Sequence, residues 1–419
     1  MGTEQVETLV VGAGQAGLAM SEHLSRNGLD HLVLERHRIA ERWRSERWDS
    51  LVANGPAWHD RFPTMAFESV GPNEFASREQ VVDYFEKFAQ QIDAPIRSGV
   101  SVEAVVREPG TRRFRVSTSD GEIAAQNIVV ATGPFQRPLI PAIVPSSDRL
   151  AQLHSSQYRS PDQLPKGGVV VVGSGSSGAQ IADELQRSGR DVYLSIGPHH
   201  RPPRSYRGRD YCWWLGVLGK WDAAALEPGL QHVTISVSGA RGGFTVDFRA
   251  LAQQGVTLVG MTDAYSDGVL TFAPDLRQSI ANGDANYLSV LDEADAYAER
   301  HGLDLPPEDE ARVVRPDPAC LTDPIFKLDL AAVGVTSIIW ATGYGYDFGW
   351  LKVDAFDTNG RPQHQRGVST EPGLYFVGLP WLSRRGSSFI WGVWHDASYI
   401  ADQIAIQRGH ATFDPAAGW

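Results

Sequence analysis

Two glycine fingerprints of one kind stand in this single chain of 419 residues. The first is Gly12-Ala13-Gly14-Gln15-Ala16-Gly17, reached by the apolar run Thr8-Leu9-Val10-Val11. The second is Gly173-Ser174-Gly175-Ser176-Ser177-Gly178, reached by Val169-Val170-Val171-Val172. One GxGxxG alone carries little information. Each copy here follows a buried-strand pattern and opens a helical one, Leu18–Leu24 after the first and Ile181–Leu185 after the second. In that context the spacing has a mechanical meaning. The first glycine turns the chain sharply, the second lets a pyrophosphate reach the backbone, and the third lets helix pack on strand. The phosphates then meet the unpaired N–H groups of a helix N-terminus. The pair predicts an α/β chain with two dinucleotide sites and a hydride passed between them.

Bulk properties close off other classes. The 42% hydrophobic and 21% charged content is that of an ordinary globular chain. A net charge of −12 without a long basic run argues against nucleic acid as a partner. No apolar stretch approaches the roughly 20 residues a bilayer span needs, so no membrane association is expected. The chain runs almost directly into its first strand, leaving no room for a signal peptide, and the cytoplasm is the expected compartment. Cys212 and Cys320 are far apart and in no metal-ligand spacing, so no metal is expected. A homodimer is compatible with the sequence but not required by it.

A second repeat accompanies the glycine turns. Ile128-Val129-Val130-Ala131-Thr132-Gly133 recurs as Ile338-Ile339-Trp340-Ala341-Thr342-Gly343. Each is a buried strand ending in a small residue, a hydroxyl and a glycine, which suits a backbone passing close to a cofactor. Pro134, Pro138 and Pro141 stop any helix after the first copy, so residues 134–165 read as a crossing between domains. The expected architecture is two Rossmann-like domains, one inserted in the other. Residues 1–158 and 333–419 form the outer domain, and 159–332 the inserted one. Its stretch from 205 to 330 is the least regular part. Tyr206, Tyr211, Trp213, Trp214 and Trp221 fall there, as a cavity lining or as plain core. A last strand, Leu374–Gly378, precedes a C-terminal helix with Ile390, Trp394, Ala397, Ala401 and Ile404 on one face, for which Ser387 and Ser388 are candidate N-caps.

The end of the second strand in each unit selects the nucleotide. Glu35 closes Leu32-Val33-Leu34, where a carboxylate accepts from ribose hydroxyls, so FAD or NAD fits the first unit. The same spacing from Gly178 reaches Ile196 instead of an acid, beside Ser195 and ahead of Arg201 and Arg204. A 2′-phosphate needs donors and positive charge, so the second unit reads as an NADPH site. Gln15, Ala16, Arg36 and Val102 complete the expected cofactor-binding set around the first unit.

With these motifs the chain resembles the flavin-containing monooxygenase family, from Gly12 to the terminal helix and most weakly over 205–330. The resemblance implies FAD on the first fingerprint and NADPH on the second. It also implies that Arg42-Trp43 packs along the flavin, that Asn54 sits over the flavin ring as a catalytic donor, and that Ala341-Thr342-Gly343-Tyr344 matches the late ATGY motif. The family's FxGxxxH signature is half present: His154 is there, but Asp148 and Leu150 replace its Phe and Gly. His154 reads as a structural part of a linker. Tyr158 stands where Baeyer–Villiger enzymes of the superfamily usually have Trp, which favours oxygenation at nitrogen or sulfur over ketone oxidation. The implied activity is reduction of FAD by NADPH, capture of O2 as a flavin peroxide adduct, and transfer of one oxygen atom to a small organic substrate. Two features argue against a disulfide reductase: the absence of a cysteine pair, and Leu379-Pro380 after Gly378. An electron-transfer reductase without oxygen insertion is the rival reading.

Overall fold

The computed structural model describes residues 3–224 and 234–413. Its larger sheet runs Leu351–Lys352, Val102–Arg107, Phe114–Thr118, Gly121–Val130, Glu4–Val11, His31–Glu35, Ile96–Ser98. Leu374–Phe376 lies parallel to the end of Gly121–Val130. The central strands are buried on both faces, which is why Leu9-Val10-Val11 shows no polar alternation. Helices Gln15–Arg26, Arg78–Gln91 and Ile390–Thr412 cover this sheet.

The smaller sheet has five parallel strands in the order Val256–Val259, Val192–Ser195, Gly168–Val172, Val335–Trp340, Ala151–His154. This corrects the domain limits. Residues 151–154 and 335–340, assigned by sequence to the outer domain, belong to the inserted one. The chain therefore crosses between folds within 131–150 and again after 340. The two crossings lie side by side: Arg137–Pro138 pairs antiparallel with Tyr344–Gly345. The prolines marked this region as a linker and hid the four-residue strand behind them.

The repeat is one of position as well as of sequence. Each second-motif strand lies parallel to the strand that feeds a glycine turn, Gly121–Val130 beside Glu4–Val11 and Val335–Trp340 beside Gly168–Val172. A Cβ on Gly12 would stand 2.8 Å from the Ala131 carbonyl oxygen, and one on Gly173 would stand 2.5 Å from that of Ala341. Both glycines hold positive φ, +110° and +114°. The strand beside each turn thus demands glycine there.

The described part of the irregular stretch contains, besides Val256–Val259, short helices, one long helix and a small sheet. Leu276–Arg300 is a single long helix. Thr262–Ser266, Val269–Phe272 and Lys327–Asp329 form an antiparallel sheet. A buried charge network ties the helix to the second fold. Asp284 accepts from Arg201 and Arg249, and Arg249 also donates to Asp317.

Candidate functional site: two dinucleotide cradles and the junction between them

The first glycine turn opens onto a cavity of about 320 Å³, within the usual range for ligand sites. Gly12, Gly14, Gln15 and Ala16 form its floor. Glu35 and Arg36 close one end with Val102, while Ala131, Thr132 and Gly133 form the wall opposite. Arg42 and Trp43 also line it. Gly17 faces away from the cavity: a Cβ there would overlap the Gly12 carbonyl oxygen, so its task is to let helix meet strand. Gly14 is the converse case. Its backbone is extended, and a Cβ there would meet no atom within 4 Å. The space left free by Gly14 is where a pyrophosphate would reach the first-turn N–H groups of Gln15–Arg26.

Glu35 is held for its task. Its two oxygens accept from the Ala13 and His37 backbone N–H groups, each at 2.9 Å. A carboxylate has about four lone-pair positions, so two remain for ribose hydroxyls. Several lining residues were not singled out by sequence. Ala40, in left-handed conformation, Arg47, Gln136, Asp347 and Trp350 all reach the cavity, as does Gly378. Ala40, Arg47 and Gln136 flank motifs that the sequence marks, whereas Asp347 and Trp350 come from a segment more than 200 residues further on that no local spacing marks. Arg47 lies over the Phe135 ring at 4.9 Å, and Arg42 pairs with Glu46. A partly apolar slot with free space over Gly14 and a carboxylate that keeps open lone pairs fits a flavin dinucleotide.

The second glycine turn repeats the geometry but carries a cover. Gly178, like Gly17, is pressed against the first glycine of its turn, and Gly175 is extended at the N-cap of Ser176–Arg187. The segment 234–238 runs across the start of this helix. The Ser176 hydroxyl donates to the Ile235 carbonyl at 3.0 Å and accepts from Val237 N–H at 3.1 Å. Ser236 donates to the Ser174 carbonyl. Ser177 is half-buried beside Ser176 on the same first turn. Ala341, Thr342 and Gly343 follow the neighbouring strand, and the Thr342 hydroxyl bonds to the Leu139 carbonyl in the crossing ribbon.

The expected phosphate contacts at the end of the second strand need correction. Ser195 is buried, and its hydroxyl donates to Gly260 O at 2.9 Å while accepting from Thr262 N–H and Oγ1. Arg201 is buried against Asp284, with Tyr287 under its guanidinium at 4.6 Å. Arg204 is buried against Asp210 and donates to the Asn54 carbonyl at 2.6 Å. Desolvated arginines bonded to carboxylates are structural ties. Sequence spacing registers their charge but not the acids that claim it.

Asn54 does not line the cavity. It lies on the turn between the two folds, half-buried, with its Oδ1 accepting from Gln180 Nε2 at 2.9 Å. Asp60 closes the turn, accepting from Gly55 N–H at 2.9 Å and meeting His59 Nδ1 at 2.8 Å. His59 is ringed by Trp58, Trp221 and Trp391, with centroids 4.9–5.3 Å away. The tryptophans thus divide. Trp58, Trp221 and Trp391 gather at the junction, whereas Trp214 is fully buried and Trp394 packs on Phe62 and Phe88.

The serines before the last helix also need correction. Phe389 is the N-cap residue of Ile390–Thr412 and offers no side-chain cap. Ser387 instead accepts from the Ser383 and Arg384 N–H groups, capping the preceding 3-10 turn, and Ser388 uses its carbonyl to accept from Gln15 Nε2. That last bond, at 2.9 Å, sets the helix start beside the cavity floor.

His154 is wholly buried. Its Nε2 bonds to the Gly343 carbonyl at 3.0 Å and Nδ1 accepts from Ser156 N–H, while burial lowers its pKa. Both ring nitrogens of this buried imidazole are thus engaged in clamping the crossing. Tyr158 is also buried, its hydroxyl donating to Glu184 at 2.7 Å. Cys212 is buried with its pKa pushed well up by desolvation, and Cys320 is free as well.

Residues 9–208 match the family model described as pyridine nucleotide-disulphide oxidoreductase. An oxidoreductase of Geobacillus kaustophilus described as uncharacterized and CzcO-like is 36% identical over 95% of this chain and 98% of its own. The probable indole-3-pyruvate monooxygenase YUCCA4 of Arabidopsis thaliana is 27% identical over 95% of this chain and 90% of its own. The solved flavin-containing monooxygenase of Stenotrophomonas maltophilia superposes with a TM-score of 0.67 at 19% identity, covering 97% of this chain and all of that one. The chain belongs to the family of CzcO-like oxidoreductases, and it is similar over most of its length to flavin monooxygenases. A member of this family is an enzyme, an oxidoreductase, with a flavin and a nicotinamide cofactor. Disulfide chemistry, named in the matching model's description, has no cysteine pair to use here. Among the described residues, no helix is long and apolar enough to cross a membrane.

Proposed function

We propose that this flavoprotein is an FAD- and NADPH-dependent monooxygenase that transfers one atom of O2 to nitrogen or sulfur of a small organic substrate. The observation that carries the cofactor reading is the cavity on the first glycine turn, with Gly14 leaving room for phosphate and Glu35 poised for ribose. The second glycine turn supports a nicotinamide dinucleotide, and Ile196 in place of an acid supports tolerance of a 2′-phosphate. Arg201 and Arg204 do not carry that preference.

Bound FAD would accept hydride from the nicotinamide and activate O2; the organic chemistry belongs to the cofactor. The chain's contribution is to bind, orient and exclude water. Gln15 joins the cavity floor to the start of the last helix, whose N-terminal dipole favours negative charge nearby. Asn54 is the candidate donor to the flavin and nicotinamide pair, supported by family resemblance and by its site between the folds. Trp58, Trp221 and Trp391 offer an apolar wall at the same junction, which helps keep the site dry.

Tyr158, hydrogen-bonded and buried where Baeyer–Villiger relatives have Trp, favours heteroatom oxygenation over ketone oxidation. The test is a panel of amines, sulfides and ketones assayed for NADPH oxidation coupled to product, with 18O2 as oxidant. Label in an N- or S-oxide supports the proposal, and label in an ester supports Baeyer–Villiger chemistry. NADPH oxidation that reduces a dye or quinone, with no labelled product from any class, identifies a reductase.

A further inference from the structure

Gln180 is buried on the helix that follows the second glycine turn, and both hydrogens of its amide are used. One goes to the Val237 carbonyl at 2.8 Å, the other to Asn54 Oδ1 at 2.9 Å. The first bond decides the second. A carbonyl only accepts, so the Gln180 atom facing Val237 is nitrogen. The remaining hydrogen on that nitrogen demands an acceptor, so Asn54 must offer its oxygen and turn its NH2 the other way. The orientation of an asparagine amide is ordinarily ambiguous. Here a backbone carbonyl two contacts away dictates it.

The rest of the turn is fastened separately. Arg204 donates to the Asn54 carbonyl at 2.6 Å, and Asp60 accepts from the Gly55 N–H. The Asn54 backbone is thus pinned from two sides, while Gln180 holds its side chain. Among the described residues, no hydrogen bond is formed by Asn54 Nδ2.

We propose that Gln180 is a positioning residue: it sets the Asn54 amide with its NH2 toward the bound flavin and nicotinamide. The nicotinamide fold thereby orients a donor that the flavin fold carries. This rests on the donor role given to Asn54 above. The contact also joins the segment 234–238 to Asn54 through one side chain, so the cover of the second cradle and the donor share a support.

Two substitutions separate orientation from packing. In Gln180→Glu the carboxylate can donate to neither Val237 O nor Asn54 Oδ1, and it attracts Asn54 Nδ2, reversing the amide. Gln180→Met keeps reach and removes the donors, leaving Asn54 loose but not reversed. Holoprotein is mixed with NADPH and O2 without added substrate, and H2O2 release is measured. The visible spectrum and midpoint potential of the bound flavin, with and without NADP+, are read anaerobically.

Gln180→Glu is expected to raise H2O2 release about five- to tenfold, the loss of one hydrogen bond, and to shift the flavin spectrum with NADP+ as Asn54→Leu does. Gln180→Met should fall between it and wild type. The double variant should match Asn54→Leu alone, because the two residues act in series. If Asn54→Leu moves both readouts and Gln180→Glu moves neither, the positioning role is overturned while Asn54 remains the donor. If Asn54→Leu moves neither, the donor role fails and the positioning role with it. Additive effects in the double variant would also overturn the proposal. Should Gln180→Glu lose FAD or melt early, the Gln180→Met values decide.

Discussion

Substitutions within the first glycine turn separate folding from cofactor binding, because its glycines face different neighbours. A Cβ on Gly14 meets nothing within 4 Å, and the residue's φ of −84° suits any side chain. In Gly14→Val the apoprotein should therefore lose only about 0.5 kcal/mol, the cost of a poorer N-cap. The valine would, however, fill the room a pyrophosphate needs. Charge-assisted hydrogen bonds contribute roughly 1.5–3 kcal/mol each. Losing two of them costs about 3–6 kcal/mol, or roughly 100- to 20,000-fold in FAD affinity. Gly17→Ala is the opposite case, since its Cβ overlaps the Gly12 carbonyl oxygen and must push helix from strand. Overpacking of that kind costs roughly 1–3 kcal/mol and often more, in the apoprotein as well as the holoprotein. The assay is thermal melting of FAD-stripped protein together with FAD titration by flavin fluorescence. A Gly14→Val protein that binds FAD like wild type, or whose apoprotein melts as early as that of Gly17→Ala, would refute the reasoning.

Three further outcomes follow from the charged interior. Asp284→Asn leaves Arg201 without its buried carboxylate and should cost about 3–5 kcal/mol, seen as a large drop in the melting temperature; an unchanged melt contradicts the network. Arg201→Ala should alter KM for NADPH and for NADH by the same factor, whereas a selective tenfold loss for NADPH, about 1.4 kcal/mol, would restore the phosphate role. His23 is buried and its pKa is lowered to about 4, chiefly by desolvation and then by Arg26. Between pH about 6.5, the ordinary histidine value, and about 4 the unfolded chain takes up a proton that the fold refuses. Stability is therefore full above that window and declines as pH falls through it. His23→Phe, which retains an aromatic ring beside Trp394, should flatten that decline in urea titrations across the window, and an unchanged slope would exclude His23 as its source.

The sequence by itself determined the two cradles. Gly12-x-Gly14-x-x-Gly17 and its second copy are local turns, and Glu35 lies at a fixed reach from the first, so residue order alone sets these contacts. The repeat ending in Ala131-Thr132-Gly133 and Ala341-Thr342-Gly343 was also legible, but its pairing was not. Whether Val335–Trp340 joins the larger or the smaller sheet depends on which strand lies beside it. Only the close approach of Ala341 to Gly173 decides that. Charge was the least legible feature. Arg201 and Arg204 look like phosphate ligands until Asp284, 83 residues from Arg201, and Asp210 are brought against them. The same holds for the junction: Asn54 meets Gln180 across 126 residues, and His59 meets Trp391 of the last helix. Motifs encode what a short backbone segment can do alone. Which side chains remain free to act is set by long-range partners, and those exist only once the two sheets have packed.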